Sequence, residues 1–108
     1  MKEKKLGFGC MRLPMKDTEV DLEEFQKMVD YSMANGFNYF DTAHGYVSQK
    51  SEPALKACLT SKYPRESYIL TDKLSVHFFR KEEEIRPLFE KQLEATGVTY
   101  FDYYLMHA

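Results

Sequence analysis

The chain has no apolar run longer than about six residues, far short of the ~20 that a membrane-spanning helix needs. Its first five residues, Met1-Lys2-Glu3-Lys4-Lys5, contain no apolar stretch of the secretory kind. A cytoplasmic protein without a membrane partner is the expectation. Cysteine is scarce. Cys10 and Cys58 are the only two and have no metal-type spacing, and a cytosolic setting argues against a disulfide. Both read as small apolar residues. CxxC, HExxH, GxGxxG and Walker patterns are all missing, so zinc or another bound metal, a Rossmann-type dinucleotide site and a P-loop have no local support. Positive charge is not in excess. The net charge of −2 gives no reason to expect nucleic acid or an anionic membrane as partner, and Lys2, Lys4 and Lys5 read as a solvated terminus. Internal repeats and low-complexity stretches are also missing.

What is present is an alternation of short apolar runs and helical patterns. With 44% hydrophobic and 30% charged residues, the 108-residue chain has the composition and length of one globular domain. Leu6 to Met11 alternates large and small residues as a strand, and its glycines permit close approach by a ligand or a neighbouring strand. Leu13-Pro14 ends it. Asp21, with Glu24 three residues on, opens a helix whose apolar face is Leu22, Phe25, Val29, Ser32 and Met33. Asn35-Gly36 stops that helix. Phe37 to Asp41 is the second strand and 42–49 a loop. Ser51 caps a helix carrying Leu55, Ala57, Cys58 and Leu59. Tyr68 to Leu74 is the third strand. Ile85, Leu88, Phe89 and Leu93 mark a third helix that starts late or is kinked because of Pro87 and stops at Thr96-Gly97. Val98 to Met106 holds the fourth strand.

The order β-α-β-α-β-α-β predicts parallel strands joined by right-handed crossovers. An open doubly wound sheet and part of a closed (β/α)8 barrel both fit. The first strand runs into Arg12-Leu13-Pro14-Met15-Lys16, not directly into a helix after a Gly-rich loop, which favours the barrel.

Asp41, Tyr46, Lys73 and His107 fall at or just past the strand ends, where a barrel gathers its catalytic groups. Each alone has an ordinary structural reading: a cap, a packed aromatic, a solvated charge, a structural imidazole. Together they suit proton donation to a carbonyl oxygen. A phenol donates poorly at neutral pH without help, and a neighbouring ammonium eases the release. Lys73 is placed to give that help to Tyr46, and Asp41 to hold Lys73. His107 is a second donor toward the same oxygen, in the manner of an oxyanion hole. The hydride for such a reduction has to come from a nicotinamide cofactor. His44 reads as a loop polar group or a substrate-side contact. Asp72 and Asp102 read as solvent-facing or turn-capping, and Tyr103 and Tyr104 as packing residues.

Phe40-Asp41-Thr42-Ala43, Gly45-Tyr46, Thr71-Asp72-Lys73-Leu74 and Tyr104-Leu105-Met106-His107 resemble the aldo-keto reductase family in order and spacing. Leu6 to Pro14 is similar to that family's first barrel strand. The resemblance implies a (β/α)8 barrel that reduces aldehydes or ketones with NADPH. It implies Tyr46 as general acid, Lys73 and Asp41 tuning it, and His107 orienting the carbonyl. It places Gly9, Cys10, Met11 and Asp41 near the nicotinamide end of NADP(H). Cys10 to Pro14 with His44-Gly45-Tyr46 and Lys50-Ser51-Glu52 is similar to a bacterial branch, some of whose members carry a C-terminal iron–sulfur segment.

A complete barrel typically takes ~250 residues. At 108 residues the expectation is the N-terminal β/α units of such a domain, residues 1–108, without strands five to eight and without most contacts to the cofactor's phosphates and adenine. Alone, such a segment is expected to be inactive and to self-associate through open sheet edges. The alternative from another class is a non-catalytic half-barrel that assembles with itself or another chain, since one fold serves many roles.

Overall fold

A computed structural model describes residues 7–107 of the chain, with the side chain of His107 outside the description, as are residues 1–6 and Ala108. Four parallel strands form one sheet: β1 (Gly7–Gly9), β4 (Tyr39–Asp41), β5 (Ile69–Ser75) and β6 (Tyr103–His107). They lie in the order in which they occur in the chain. A doubly wound sheet reverses its strand order at a switch point, and this sheet does not, so the barrel-type progression is the one observed. Leu6, expected in the first strand, lies outside the described residues.

The helices crossing between the strands are α1 (Leu22–Ala34), α2 (Ser51–Leu55), which continues as a π-turn over Lys56–Thr60, and α3 (Ile85–Thr96). Asp21 caps α1 by accepting from Glu24 N at 3.2 Å. A short 3-10 turn, Glu82–Glu84, precedes α3, so its regular part starts late, with Pro87 in its first turn where the missing N–H costs nothing. Gly97 ends α3 at φ 75°, and the N–H groups of Gly97 and Val98 both return to Leu93 O.

Helices cover one face of the sheet. Phe25 and Val29 of α1, Leu55, Cys58 and Leu59 of the second crossover, and Phe40 and Leu70 of the strands form the core between the layers. Cys10 and Cys58 are free and buried in it. On the other face Tyr103 and Leu105 are about half exposed, with Tyr103 stacked on Tyr39 at 6.3 Å. No helix among the described residues is long and apolar enough to cross a membrane.

Four details depart from the sequence reading. Residues 15–20, read as connection, form a small antiparallel hairpin, β2 (Met15–Lys16) with β3 (Glu19–Val20), turning through Asp17 at φ 59°. Leu22 is exposed at the start of α1 because the stripe that meets the core begins at Phe25. Ser51 does not cap α2. Its hydroxyl is fully buried, donating to Cys10 O at 2.8 Å and bonding the Thr42 hydroxyl at 2.7 Å. Asp72 does not face solvent but is wholly buried under the helices.

Candidate active site

The ladder bonds that align the strands also align the site. Tyr39↔Ile69, Phe40↔Leu70 and Asp41↔Thr71 are register partners, and Thr42 N continues the ladder to Thr71 O at 2.9 Å. Side chains alternate along a strand, so Asp41 and Lys73, set in this register, emerge on the open face near the strand ends while Phe40 and Asp72 go to the helix side. Asp41 sits at the end of β4, and Lys73 lies two residues before the end of β5.

The Lys73 ammonium is the centre of the arrangement. It donates to Asp41 Oδ1 at 2.5 Å, to Tyr46 Oη at 2.9 Å and to Thr42 O at 3.2 Å. An ammonium has three hydrogens, and all three are engaged. The nitrogen also lies 4.7 Å from the centre of the Tyr46 ring. The Lys73 side chain is only 12% exposed, against 39% for Asp41. Burial works against its charge, but the hydrogen bonds to Asp41 and Tyr46 and the Asp41 charge outweigh that, and its pKa rises above the ordinary lysine value. Lys73 therefore holds its proton, and the phenol oxygen of Tyr46 is an acceptor toward it. The Tyr46 proton is not spent on this bond.

Tyr46 reaches this position from the loop after β4. Val47, Ser48 and Gln49 follow it at φ 53°, 52° and 68°, a left-handed turn that brings the chain round into α2. Non-glycine residues adopt this region at a cost, so the surrounding contacts must hold the turn. Lys50 is one of them. Its ammonium bonds Glu19 Oε2 at 2.5 Å and also Thr18 O, tying the loop to the β2–β3 hairpin.

His107 ends β6, in register with Ser75, two residues beyond Lys73; its side chain lies outside the described residues. The four residues expected to converge are thus divided. Asp41, Tyr46 and Lys73 are in direct contact, and His107 has its backbone at the end of the fourth strand.

Of the residues expected near the nicotinamide, Gly9 and Met11 are exposed at the end of β1 and Cys10 between them is fully buried. A Cβ built on Gly9 would meet nothing within 4 Å, whereas one on Gly7 would come within 3.2 Å of the Tyr39 ring. The two glycines thus divide the roles that the sequence left open: Gly7 admits a neighbouring strand and Gly9 leaves clear space. Cys10 donates its N–H to Asp41 O at 2.8 Å, and burial lifts its thiol pKa to about 12. Among the described residues no group of three or more His, Cys, Asp or Glu is placed to hold a metal ion.

His44 turns away from the open face. Its Nδ1 is 2.8 Å from Glu52 Oε1, and its ring meets Phe78 edge-on at 4.8 Å. Glu52 and Gln92 are buried polar residues to which the sequence reading gave no role. Both carried a signal: Glu52 shares a helical stripe with Leu55 and Leu59, and Gln92 falls between Leu88 and Thr96 on the buried side of α3.

Comparison with known proteins places the chain in a family. The model of the aldo/keto reductase family matches residues 5–108. The 4-dihydromethyl-trisporate dehydrogenase of Mucor mucedo is 32% identical over 103 residues, covering 94% of this chain and 30% of that protein. A holo-form aldo-keto reductase from Bacillus halodurans superposes with a TM-score of 0.77 at 27% identity, covering 95% of this chain and 35% of its own. An aldo-keto reductase from Klebsiella pneumoniae solved with NADPH gives 0.74 at 20% identity, over 94% and 34%. These structures are (β/α)8 barrels, and the four parallel strands and their helices here correspond to part of one. The chain spans about a third of the length of the curated relatives it matches.

Proposed function

The chain belongs to the aldo/keto reductase family, and we propose that the complete gene product reduces aldehydes or ketones to alcohols with NADPH, Tyr46 acting as general acid. The observation that carries this reading is one hydrogen bond: Lys73, held by Asp41, donates to Tyr46 Oη, where its charge would support a phenolate. As the carbonyl carbon gains a hydride, its oxygen gains negative charge and takes the Tyr46 proton. The phenolate left behind lies 2.9 Å from a retained ammonium, which stabilises it. Asp41 keeps that ammonium charged and in place. His107, at the end of β6, supplies the second donor to the same oxygen and orients it.

NADPH, when bound, supplies the hydride. The residues present fit its reactive end. A Cβ on Gly9 would meet nothing within 4 Å, Met11 is exposed two residues on, and Asp41, the register partner of Gly9, keeps a partly exposed carboxylate; these residues would take that end of the cofactor. Cys10 contributes by fixing the end of β1 to β4 through its N–H. The NADPH-bound relative supports this cofactor.

The test is NADPH consumption by the complete gene product over a panel of aldehydes and ketones, with Tyr46→Phe as comparison. A wild-type rate that falls by about 10²-fold or more in the variant, at unchanged NADPH affinity, supports the reading. A wild type without turnover, or a variant that keeps its rate, overturns it.

A further inference from the structure

Behind Lys73, on the helix side of β5, lie two carboxyl groups that proton donation to a carbonyl does not use. Asp72 is fully buried and Glu52 is 1% exposed. Gln92, also fully buried, joins them: the two hydrogens of its Nε2 are divided among three acceptors, Glu52 Oε2 at 3.0 Å, Asp72 Oδ1 at 2.9 Å and Lys73 O at 3.0 Å, so one of them is shared. Its Oε1 accepts from the Tyr104 hydroxyl. The Lys73 carbonyl, which can only accept, fixes which end of the amide faces the carboxyls.

The four carboxyl oxygens are not equivalent. Glu52 Oε1 faces His44 Nδ1 and Oε2 accepts from Gln92. Asp72 Oδ1 accepts from Gln92 and from Lys73 N at 2.8 Å. Asp72 Oδ2 is buried and receives no donor. An orphaned buried carboxylate oxygen is costly, and two facing carboxylates in a dry layer repel. Both costs vanish if Oδ2 carries a proton and gives it to Glu52. Burial first, and then the neighbouring Glu52 carboxyl, push the Asp72 pKa up. Among the described residues His44 is the one basic side chain within ion-pair reach of either carboxyl. The Lys73 ammonium sits on the opposite face with Asp41, and Tyr104 approaches from β6.

We propose that Asp72 and Glu52 form a one-proton carboxyl pair which, through Gln92 and His44, positions Lys73 and the Tyr46 loop for carbonyl reduction. The placement follows from the bonds. Asp72 and Gln92 hold the N–H and C=O of Lys73, while Glu52 holds His44, two residues before Tyr46. The β5 backbone and the Tyr46 loop are thereby fixed to one buried point, and the separation of the Lys73 nitrogen from the phenol is fixed with them. Asp72 and Glu52 are positioning residues. The catalytic part of this inference rests on the proposed reduction, whereas the pair itself does not.

The experiment has two arms, both on the complete gene product. Infrared difference spectroscopy at neutral pH, wild type minus Asp72→Asn, reads the pair. A protonated-carboxyl band that shifts in heavy water and disappears in the variant is expected; no such band overturns the inference. The second arm compares Asp72→Asn, whose amide can donate to Glu52 as the acid does, with Asp72→Val, which cannot. The NMR shifts of the Tyr46 ring and the Lys73 ammonium are expected to stay in place in Asp72→Asn and to move in Asp72→Val. In parallel, Asp72→Val is expected to lose about 10-fold or more in kcat at unchanged NADPH affinity, with Asp72→Asn close to wild type. Unmoved shifts in a folded Asp72→Val overturn the positioning role. If Asp72→Val does not fold, Glu52→Met, which keeps the length of the side chain but can neither carry nor share the proton, is read the same way. A wild type inactive toward carbonyls would count against the proposed reaction, while the spectra would still decide the pair.

Discussion

Asp72 and Lys73 are neighbours in sequence and leave β5 on opposite faces, one into a dry carboxyl cluster under the helices and the other into the open face against Asp41 and Tyr46. Strand alternation alone produces this division. Its consequence is that buried groups bond the backbone of Lys73 on the face opposite its ammonium.

For both residues stability falls as pH rises, in different pH windows. The pKa of Lys73 is raised in the folded state, so its stabilising contribution is complete below the unfolded value near 10.5 and fades as pH climbs through the higher folded value. Lys73→Met is expected to lose that alkaline dependence. The pKa of Asp72 is also raised, but for an acid this means the folded state binds the extra proton. Stability therefore falls as pH rises above the unfolded value of 3.8 toward the folded one. Asp72→Asn is expected to flatten the stability–pH curve through the neutral range. Denaturant midpoints measured across pH check both, and an unchanged slope in Asp72→Asn would contradict the second.

Gly97→Ala should destabilise the protein by about 1–2 kcal/mol, the cost of a left-handed conformation for a residue with a side chain. Its φ is 75°, and an added Cβ would lie 2.9 Å from Lys56 Cγ and 3.0 Å from Thr60 Oγ1. Thermal unfolding gives the number. A Tm equal to wild type would mean that α3 can end in another way.

Asp102 is exposed, yet its Oδ2 accepts from Leu70 N at 2.7 Å and from Arg65 Nη2 at 2.6 Å. Arg65 in turn caps Tyr68 O and Tyr100 O, each at 3.0 Å, and its guanidinium lies over the Tyr100 ring at 4.0 Å. Asp102→Ala leaves the Leu70 N–H without its acceptor and should cost about 1–3 kcal/mol. Asp102→Asn keeps an acceptor and should cost less. Equal losses in chemical denaturation would contradict this assignment.

Much of the fold was legible because its signals are local. Asp21 with Glu24, Asn35-Gly36 and Thr96-Gly97 each act within a few residues, and the helices begin and end there. Asp41, Tyr46 and Lys73 were legible because strand ends in a parallel sheet share a rim. The β2–β3 hairpin was not, since its Asp17-Thr18 turn lacks the glycine that marks such loops. Ser51 looked like a cap because caps and buried hydroxyls use the same residue, and its partners, Cys10 and Thr42, lie 41 and 9 positions away. Asp72 looked solvated for the same reason. A carboxyl is buried only where other residues bond it, and here the distant donor is Gln92, 20 positions away.

The most direct measurement is the rate of NADPH-dependent carbonyl reduction in Lys73→Met against wild type, with NADPH affinity and folding checked in parallel. The account predicts a folded variant that binds NADPH as before and loses about 10²-fold or more in kcat, because Tyr46 then has no ammonium to support the phenolate. A folded variant that reduces carbonyls at the wild-type rate would contradict it.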